Sequence, residues 1–370
     1  MNKPIRVLQV FNCMNCGGAE NMIMNIYRSI DREKVQFDFL VQTDQKCFFD
    51  DEIIALGGRI FSVPRFNGMN YFKYKKALKI FFREHGNYDI VHGHVGSSAC
   101  IYLNEAKKKG IFAIAHSHSE RSDNLSLQNV AFNILSRRTA HIADALFACS
   151  EKAGERRYGR PLKARIKVLN NAIDCDKYTF DPSVREAVRR ELGVVDNFVV
   201  GHVGRLEYVK NHSYLLDVFS EVTKINDNAV LLLAGDGTLR GELEEKIAAL
   251  KLQEKVIITG LRKDINRVLQ AMDCFAFPSY YEGVPLTVIE AQAAGLPCLI
   301  SENITDDVCV SELVRKLPID IPPREWAEKI IVISAVRKRQ NTTDEIRKAG
   351  YDIGTTAAWL TEFYTDAAKR

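Results

Sequence analysis

No stretch of the 370 residues approaches the ~20 consecutive apolar positions that a membrane-crossing helix needs. No segment is of low complexity or repeats on a short period. Net charge is only +4, from 51 Lys and Arg against 47 Asp and Glu, too mild to point to a nucleic-acid partner. The nine cysteines are odd in number and scattered, which argues against a disulfide framework. Cys13 and Cys16 form a Cys-x-x-Cys with no second pair to complete a tetrahedral zinc site, and the adjacent Gly17-Gly18 explains a loop there without redox chemistry. The glycine-rich loops do not spell Gly-x-Gly-x-x-Gly, so a nicotinamide dehydrogenase is excluded. The first strand-like run, Ile5–Phe11, starts almost at once and is too short for a signal-peptide core. The expectation is a protein kept in the cytoplasm.

What is present is a regular alternation of short apolar runs with helical patterns. Strand-like runs fall at Ile5–Phe11, Phe37–Val41, Arg59–Val63, Ile90–His94, Ile111–Ala115, Ala145–Cys149 and Ile166–Leu169. A second set falls at Phe198–Val203, Val230–Ala234, Val256–Thr259, Cys274–Pro278 and Pro297–Ser301. Short buried strands separated by helices imply parallel sheets with right-handed crossovers. The length exceeds one hydrophobic core, so the predicted fold class is α/β, two Rossmann-like domains facing a central cleft. The boundaries read as 1–175, 176–350 and a terminal helix over 351–370. That helix puts Trp359, Leu360, Phe363 and Tyr364 on one face, and it is expected to pack back on the first domain.

One segment, Ser279 to Pro297, is the most informative. Glu282 and Glu290 are separated by seven intervening residues in it. Gly283 lets the backbone approach a ligand, and Val284, Pro285 and Leu286 lead into an apolar helical run stopped by Gly295 and Pro297. Pro285 fits the first turn of a helix, and the unpaired N–H groups of such a start suit phosphate. The two carboxylates can accept hydrogen bonds from sugar or ribose hydroxyls. Taken alone, such a Glu pair more often means an ordinary amphipathic helix with Glu290 on its solvated face, and the other motifs shift the balance.

Open parallel sheets bind ligands beyond the carboxyl ends of their strands, and several candidates fall there. Gly17 and Gly18 open a helix after the first run. Arg205 follows Gly204, with Lys210 close behind; a guanidinium fork and a compact ammonium together suit a departing diphosphate without a metal. Gly235 lies in a tight turn, and the backbone of Gly260, Leu261 and Arg262 is placed to read a nucleobase edge. His92, His94, His116 and His118 form two His-x-His pairs at strand ends. No carboxylate or thiolate joins them at metal-site spacing, so one strand-end histidine, His116, is the better candidate to orient a substrate hydroxyl. The basic, aromatic stretch from Tyr71 to Arg83 reads as a core helix with a solvated positive face, or as a peripheral contact with an anionic membrane.

With these pieces in place, the chain resembles a bacterial retaining glycosyltransferase of family 4, of the capsular or exopolysaccharide type. The resemblance rests on Gly-Gly-Ala-Glu at 17–20, Gly-His-Val-Gly-Arg-Leu at 201–206 with Lys210-Asn211-His212, Ala-Gly-Asp-Gly at 234–237, Phe-Pro-Ser-Tyr-Tyr-Glu-Gly-Val-Pro-Leu at 277–286 and Glu-Ala-Gln-Ala-Ala-Gly-Leu-Pro at 290–297. It implies a GT-B fold, with the acceptor on the first domain and a nucleotide-sugar donor, UDP-linked before GDP-linked, on the second. It implies that Arg205 and Lys210 hold the diphosphate, Glu282 the sugar, Glu290 the ribose and His116 the transferred sugar, with Gly17 and Gly18 near the phosphates. It further implies a glycan or lipid-linked saccharide acceptor, retention at the anomeric carbon, and no cofactor or metal. Asp174-Cys175-Asp176 sits at the domain join and reads as structure. Asn170-Asn171-Ala172 departs from the family's Pro-Asn-Gly, so Asn171 receives no donor contact. A nucleotide-sugar epimerase on the same fold, or a non-catalytic partner of a transferase, remains the alternative.

Overall fold

The computed structural model describes residues 3–15, 17–118, 137–336 and 339–370; Cys16 of the Cys-x-x-Cys lies outside them. The chain divides into two units, Met1–Ala172 with Ile353–Arg370, and Ile173–Asp352.

Unit 1 holds β1 (Ile5–Val10), β2 (Val35–Val41), β3 (Ile60–Ser62), β4 (Ile90–Gly93), β5 (Phe112–Ser117), β6 (Ala145–Ala148) and β7 (Ile166–Val168). They form one sheet in the order β3-β2-β1-β4-β5-β6-β7, parallel at every pairing. Unit 2 holds β8 (Phe198–Val203), β9 (Ala229–Ala234), β10 (Val256–Gly260), β11 (Cys274–Phe277), β12 (Cys298–Ser301) and β13 (Val314–Leu317). Its order, β10-β9-β8-β11-β12-β13, repeats the same winding. Strand β13 was not foreseen, because Val-Arg-Lys-Leu lacks the apolar run of a central strand. It stands at the sheet edge, paired on one side with β12, where charged side chains guard an open ladder.

Most strands feed both faces of their sheet. Val7 of β1 packs in one layer with Ile23, Phe37 and Phe147, while Leu8 and Val10 enter the opposite layer with Tyr74, Leu78 and Tyr102. In β9, Leu231 and Leu233 face one layer and Val230 and Leu232 the other. This alternation follows from the two-residue period of a strand. The terminal helix Ile353–Ala367 belongs to unit 1: Leu360 and Tyr364 are fully buried, and Tyr364 meets Phe37 edge-on at 6.0 Å between ring centres.

In both sheets the chain reverses its winding direction beside the first strand, between β1 and β4 in unit 1 and between β8 and β11 in unit 2. Loops diverge at such a switch point and leave a crevice at the carboxyl edge.

Candidate active site

At the switch point of unit 2, the loops after β8 and β11 are locked together. The amide of Tyr280 donates to the Val209 carbonyl at 2.9 Å, and the Tyr208 and Tyr280 rings stack at 4.9 Å. Asn211, in the left-handed region at φ 54°, turns the chain from a short 3-10 turn into the helix His212–Ile225. That bend aims Lys210 inward. Its Nζ lies 2.6 Å from Glu282 Oε1, with the two side chains 15% and 19% exposed, and 4.7 Å from the centre of the Phe277 ring. Lysine and glutamate are thus held beside one another over an aromatic floor.

Arg205 takes a different course from Lys210. Its side chain is 75% exposed and pairs with Glu207 at 2.8 Å, so the two cations do not form a preassembled clamp. Gly235 is required by close approach. A Cβ there would stand 1.9 Å from the Gly204 carbonyl oxygen, which packs the loop after β9 directly against the loop that carries Arg205. Gly260 adopts φ 69° and bridges Gly235, and Leu261 beside it is exposed. The Arg262 guanidinium is committed to Glu191 at 2.9 Å and Asp264 at 2.7 Å.

The segment 279–297 corrects the sequence reading in one detail and goes against the plain-helix alternative in another. Pro285 is the N-cap, not a first-turn residue, and the helix spans Leu286–Ala293. Glu290 is not on a solvated face: it is half-buried, its Oε1 accepts from the Tyr178 hydroxyl at 2.7 Å, and burial raises its carboxyl above the usual range despite that hydrogen bond. The start of the helix leaves first-turn N–H groups without intrahelical acceptors. Around it, the hydroxyls of Ser279 and Thr287 are buried without a protein partner. Gly283 faces open space, and Val284 packs against the unit 2 core.

His202 and His212 were missed in the sequence, although His202 lies inside the Gly-His-Val-Gly-Arg motif. Their rings meet edge-on at 4.5 Å. His202 Nδ1 donates to the Ala276 carbonyl at 2.9 Å, while its Nε2 and both nitrogens of His212 find no protein partner. Burial, reinforced by the neighbouring His212 and by the Lys210 charge, holds His202 well below the ordinary imidazole range. Burial and Lys210 together bring His212 down to about 4. Both are neutral near pH 7.

At the switch point of unit 1, Gly17 caps the helix Gly18–Ser29, and the Glu20 carboxylate folds back so closely that a Cβ on Gly17 would lie 2.1 Å from it. Burial raises that carboxyl. His116 is not at the mouth of its strand as expected. The strand continues to Ser117, and His116 is 3% exposed, within a set that also holds His92, His94 and His118. His118, just past the strand, is half-buried. Burial takes His92 to about 3 and His118 to about 4, and burial with neighbouring imidazoles keeps His94 and His116 well below the normal value. Asn171 carries a buried side-chain oxygen without a protein partner, and Ala172 is not among the described residues at positive φ.

Two family descriptions match adjoining parts of the chain: Glycosyltransferase Family 4 over residues 16–177 and Glycosyl transferases group 1 over residues 184–351. The glycosyltransferase EpsF of Bacillus subtilis (strain 168) is 34% identical over 379 residues, spanning 99% of this chain and 97% of that protein. An Escherichia coli UDP-Gal:alpha-D-GlcNAc-diphosphoundecaprenol alpha-1,3-galactosyltransferase is 29% identical over 279 residues, 71% of this chain and 70% of that one. The crystal structure of Anabaena HepE in complex with UDP superposes with a TM-score of 0.79 at 20% identity, covering 98% of this chain and 100% of HepE. That likeness establishes the shared fold.

Proposed function

The chain belongs to glycosyltransferase family 4, and from that premise we propose that it moves a sugar, with retention of anomeric configuration and without a metal, from a UDP-sugar to a lipid-linked saccharide on the way to a surface glycan. The observation that carries the reading is the Lys210–Glu282 pair at the switch point of unit 2. Before the donor arrives, each charge neutralises the other. The donor's diphosphate draws Lys210 away from Glu282, and the freed carboxylate then accepts from hydroxyls of the sugar. The leaving UDP departs with its extra negative charge facing Lys210 and the first-turn amides of the helix Leu286–Ala293, and Arg205 swings in from solvent to complete the clamp. Glu290, poised by Tyr178, takes the ribose, and the backbone from Gly260 to Arg262 takes the base. In unit 1, the sugar-orienting imidazole is His118, braced from behind by buried His116, and Gly17 and Gly18 lie along the phosphate path.

The acceptor's lipid suggests a place for the helix Tyr71–Glu84. Its Tyr74, Leu78, Phe81 and Phe82 are buried, but Phe72 and the preceding Met69 are 84% and 91% exposed beside Lys73, Lys76 and Lys79. Exposed aromatic and basic residues together suit the headgroup region of an anionic bilayer. Among the described residues, no helix is long and apolar enough to cross a membrane.

The test is a panel of nucleotide sugars scored by thermal stabilisation, followed by transfer in excess chelator and assignment of the product's anomeric configuration. UDP-sugars should raise the melting temperature, and transfer should survive chelation with retention. Isomerised donor in the absence of acceptor would replace the transferase reading with an epimerase. A strict metal requirement would remove Arg205 and Lys210 as the leaving-group clamp.

A further inference from the structure

The four histidines of unit 1 are arranged as two edge-joined pairs, one stacked on the other. His92 Nε2 stands 3.1 Å from His116 Nδ1 with the rings 17° apart, and His94 Nδ1 stands 2.6 Å from His118 Nε2 with the rings 27° apart. His92 lies over His94 at 4.5 Å between centres, and His116 over His118 at 4.0 Å. Phe11 stacks on His94 at 4.2 Å, and Phe147 meets His92 and His116 edge-on. One ligand nitrogen each from His92, His94 and His116 lies within 4.8 Å of the other two.

Two of these rings are oriented from behind. Gln9 Oε1 accepts from His94 Nε2 at 2.8 Å, which places that ring's proton on Nε2 and its lone pair on Nδ1, toward the other imidazoles. The Tyr364 hydroxyl holds His92 Nδ1 at 2.7 Å, so His92 Nε2 faces inward as well. Backing of this kind is what fixes metal-ligating histidines elsewhere. His116 Nε2 is buried with no protein partner, so hydrogen bonds within the set leave part of its capacity unused. Metal–imidazole bonds of about 2.0–2.1 Å put two ligands of a tetrahedral ion roughly 3.3 Å apart. The 3.1 Å separation of His92 and His116 is already near that spacing.

We propose that His92, His94 and His116 form a nitrogen-only site for one divalent transition-metal ion of the Zn2+ or Co2+ kind, with Gln9 and Tyr364 as its orienting partners. Neutral imidazoles without carboxylates select such ions over Mg2+ and Ca2+. The bound ion ties the carboxyl edges of β4 and β5 to the terminal helix through Tyr364. Its role is structural, its binding takes the place of the 2.6 Å contact between His94 Nδ1 and His118 Nε2 and so releases His118, and it is separate from departure of the diphosphate.

The test is a Co2+ titration of the full chain after chelation and removal of the chelator, with no donor present. One equivalent should bind with the visible spectrum of a nitrogen-coordinated ion, Zn2+ should displace it, and Zn2+ should raise the melting temperature. His94→Gln should abolish the spectrum, and Tyr364→Phe should weaken affinity about 10- to 100-fold, the usual effect of losing a ligand's backing partner. Absence of uptake by the wild type would overturn the site, as would a sulfur-to-metal charge-transfer band, which would put the ion on cysteine. If His94→Gln does not fold, Tyr364→Phe decides, and unchanged affinity there overturns the assignment. Because the readout is binding in the absence of any sugar donor, failure here leaves the transferase reading standing, and failure of that reading leaves the site standing.

Discussion

Replacing Lys210 with Met should separate two roles that the Lys210–Glu282 pair combines. The side chains are 2.6 Å apart and mostly screened from water. Breaking a fully buried pair by removing one partner costs about 3–5 kcal/mol, whereas a surface pair contributes about 0–1 kcal/mol. With a sixth to a fifth of each side chain still exposed, Lys210→Met should cost about 2 kcal/mol, between these limits. For a unit the size of residues 173–352, that is roughly 4–8 °C in melting temperature. The loss is due mainly to an unpaired carboxylate, so adding Glu282→Gln should recover most of it. Activity should behave differently. Removing a fixed charge from a group that develops charge in the transition state costs about 10²–10³ in kcat, and the double variant, lacking both the ammonium and the carboxylate proposed to hold the sugar, should recover none of it. Thermal melts with UDP-free protein and initial-rate kinetics on saturating donor read the two quantities independently. A double variant no more stable than Lys210→Met, or one that regains turnover, would refute the reasoning.

Three further outcomes are expected. Gly235→Ala forces a methyl group against the Gly204 carbonyl and should cost about 1–3 kcal/mol, the usual range for overpacking; a urea midpoint equal to wild type would mean the loops separate freely. His202 and His212 are held neutral in the folded chain, so stability is fully present above the unfolded imidazole value near 6.5 and is lost below it, down toward the folded values. The slope should reach about 1.4 kcal/mol per pH unit for each histidine; urea midpoints at pH 7.5 and 5 measure it, and equal midpoints would show that both imidazoles protonate in place. Phe72→Ser with Lys76→Glu should weaken sedimentation with anionic vesicles while leaving transfer to a soluble acceptor analogue intact, and unchanged sedimentation would remove this helix as the contact.

The winding of both sheets was legible because parallel strands buried on two faces need apolar runs, and Val-Leu-Leu-Leu-Ala in β9 or Phe-Ala-Ile-Ala in β5 can hardly be anything else. β13 was not legible, since an edge strand buries one side and its Arg315 and Lys316 read as loop. The neighbourhood of Lys210 and Glu282 was marked by sequence motifs, but their direct contact across 72 positions was not. Local pattern says nothing about partners so far apart, and the same limit hid Tyr178 behind Glu290. Arg205 is expected to work beside Lys210, and its pairing with Glu207 toward solvent was not legible. The outcome for His116 turned on two residues of strand length, because an apolar run ends where its side chains become polar and the backbone ladder continues to Ser117.

Unit 2 is spliced into unit 1: the chain leaves at Ala172 and returns at Ile353, and the crossing points touch, the Ile173 amide donating to the Tyr351 carbonyl at 2.8 Å. During synthesis, unit 2 can therefore close on itself while unit 1 still waits for Leu360 and Tyr364 to emerge. A stop codon within the last helix would injure the half of the protein made first and spare the half made later. Conversely, residues 173–352 cut out alone carry neighbouring ends and an uninterrupted sheet, and should fold as a freestanding piece.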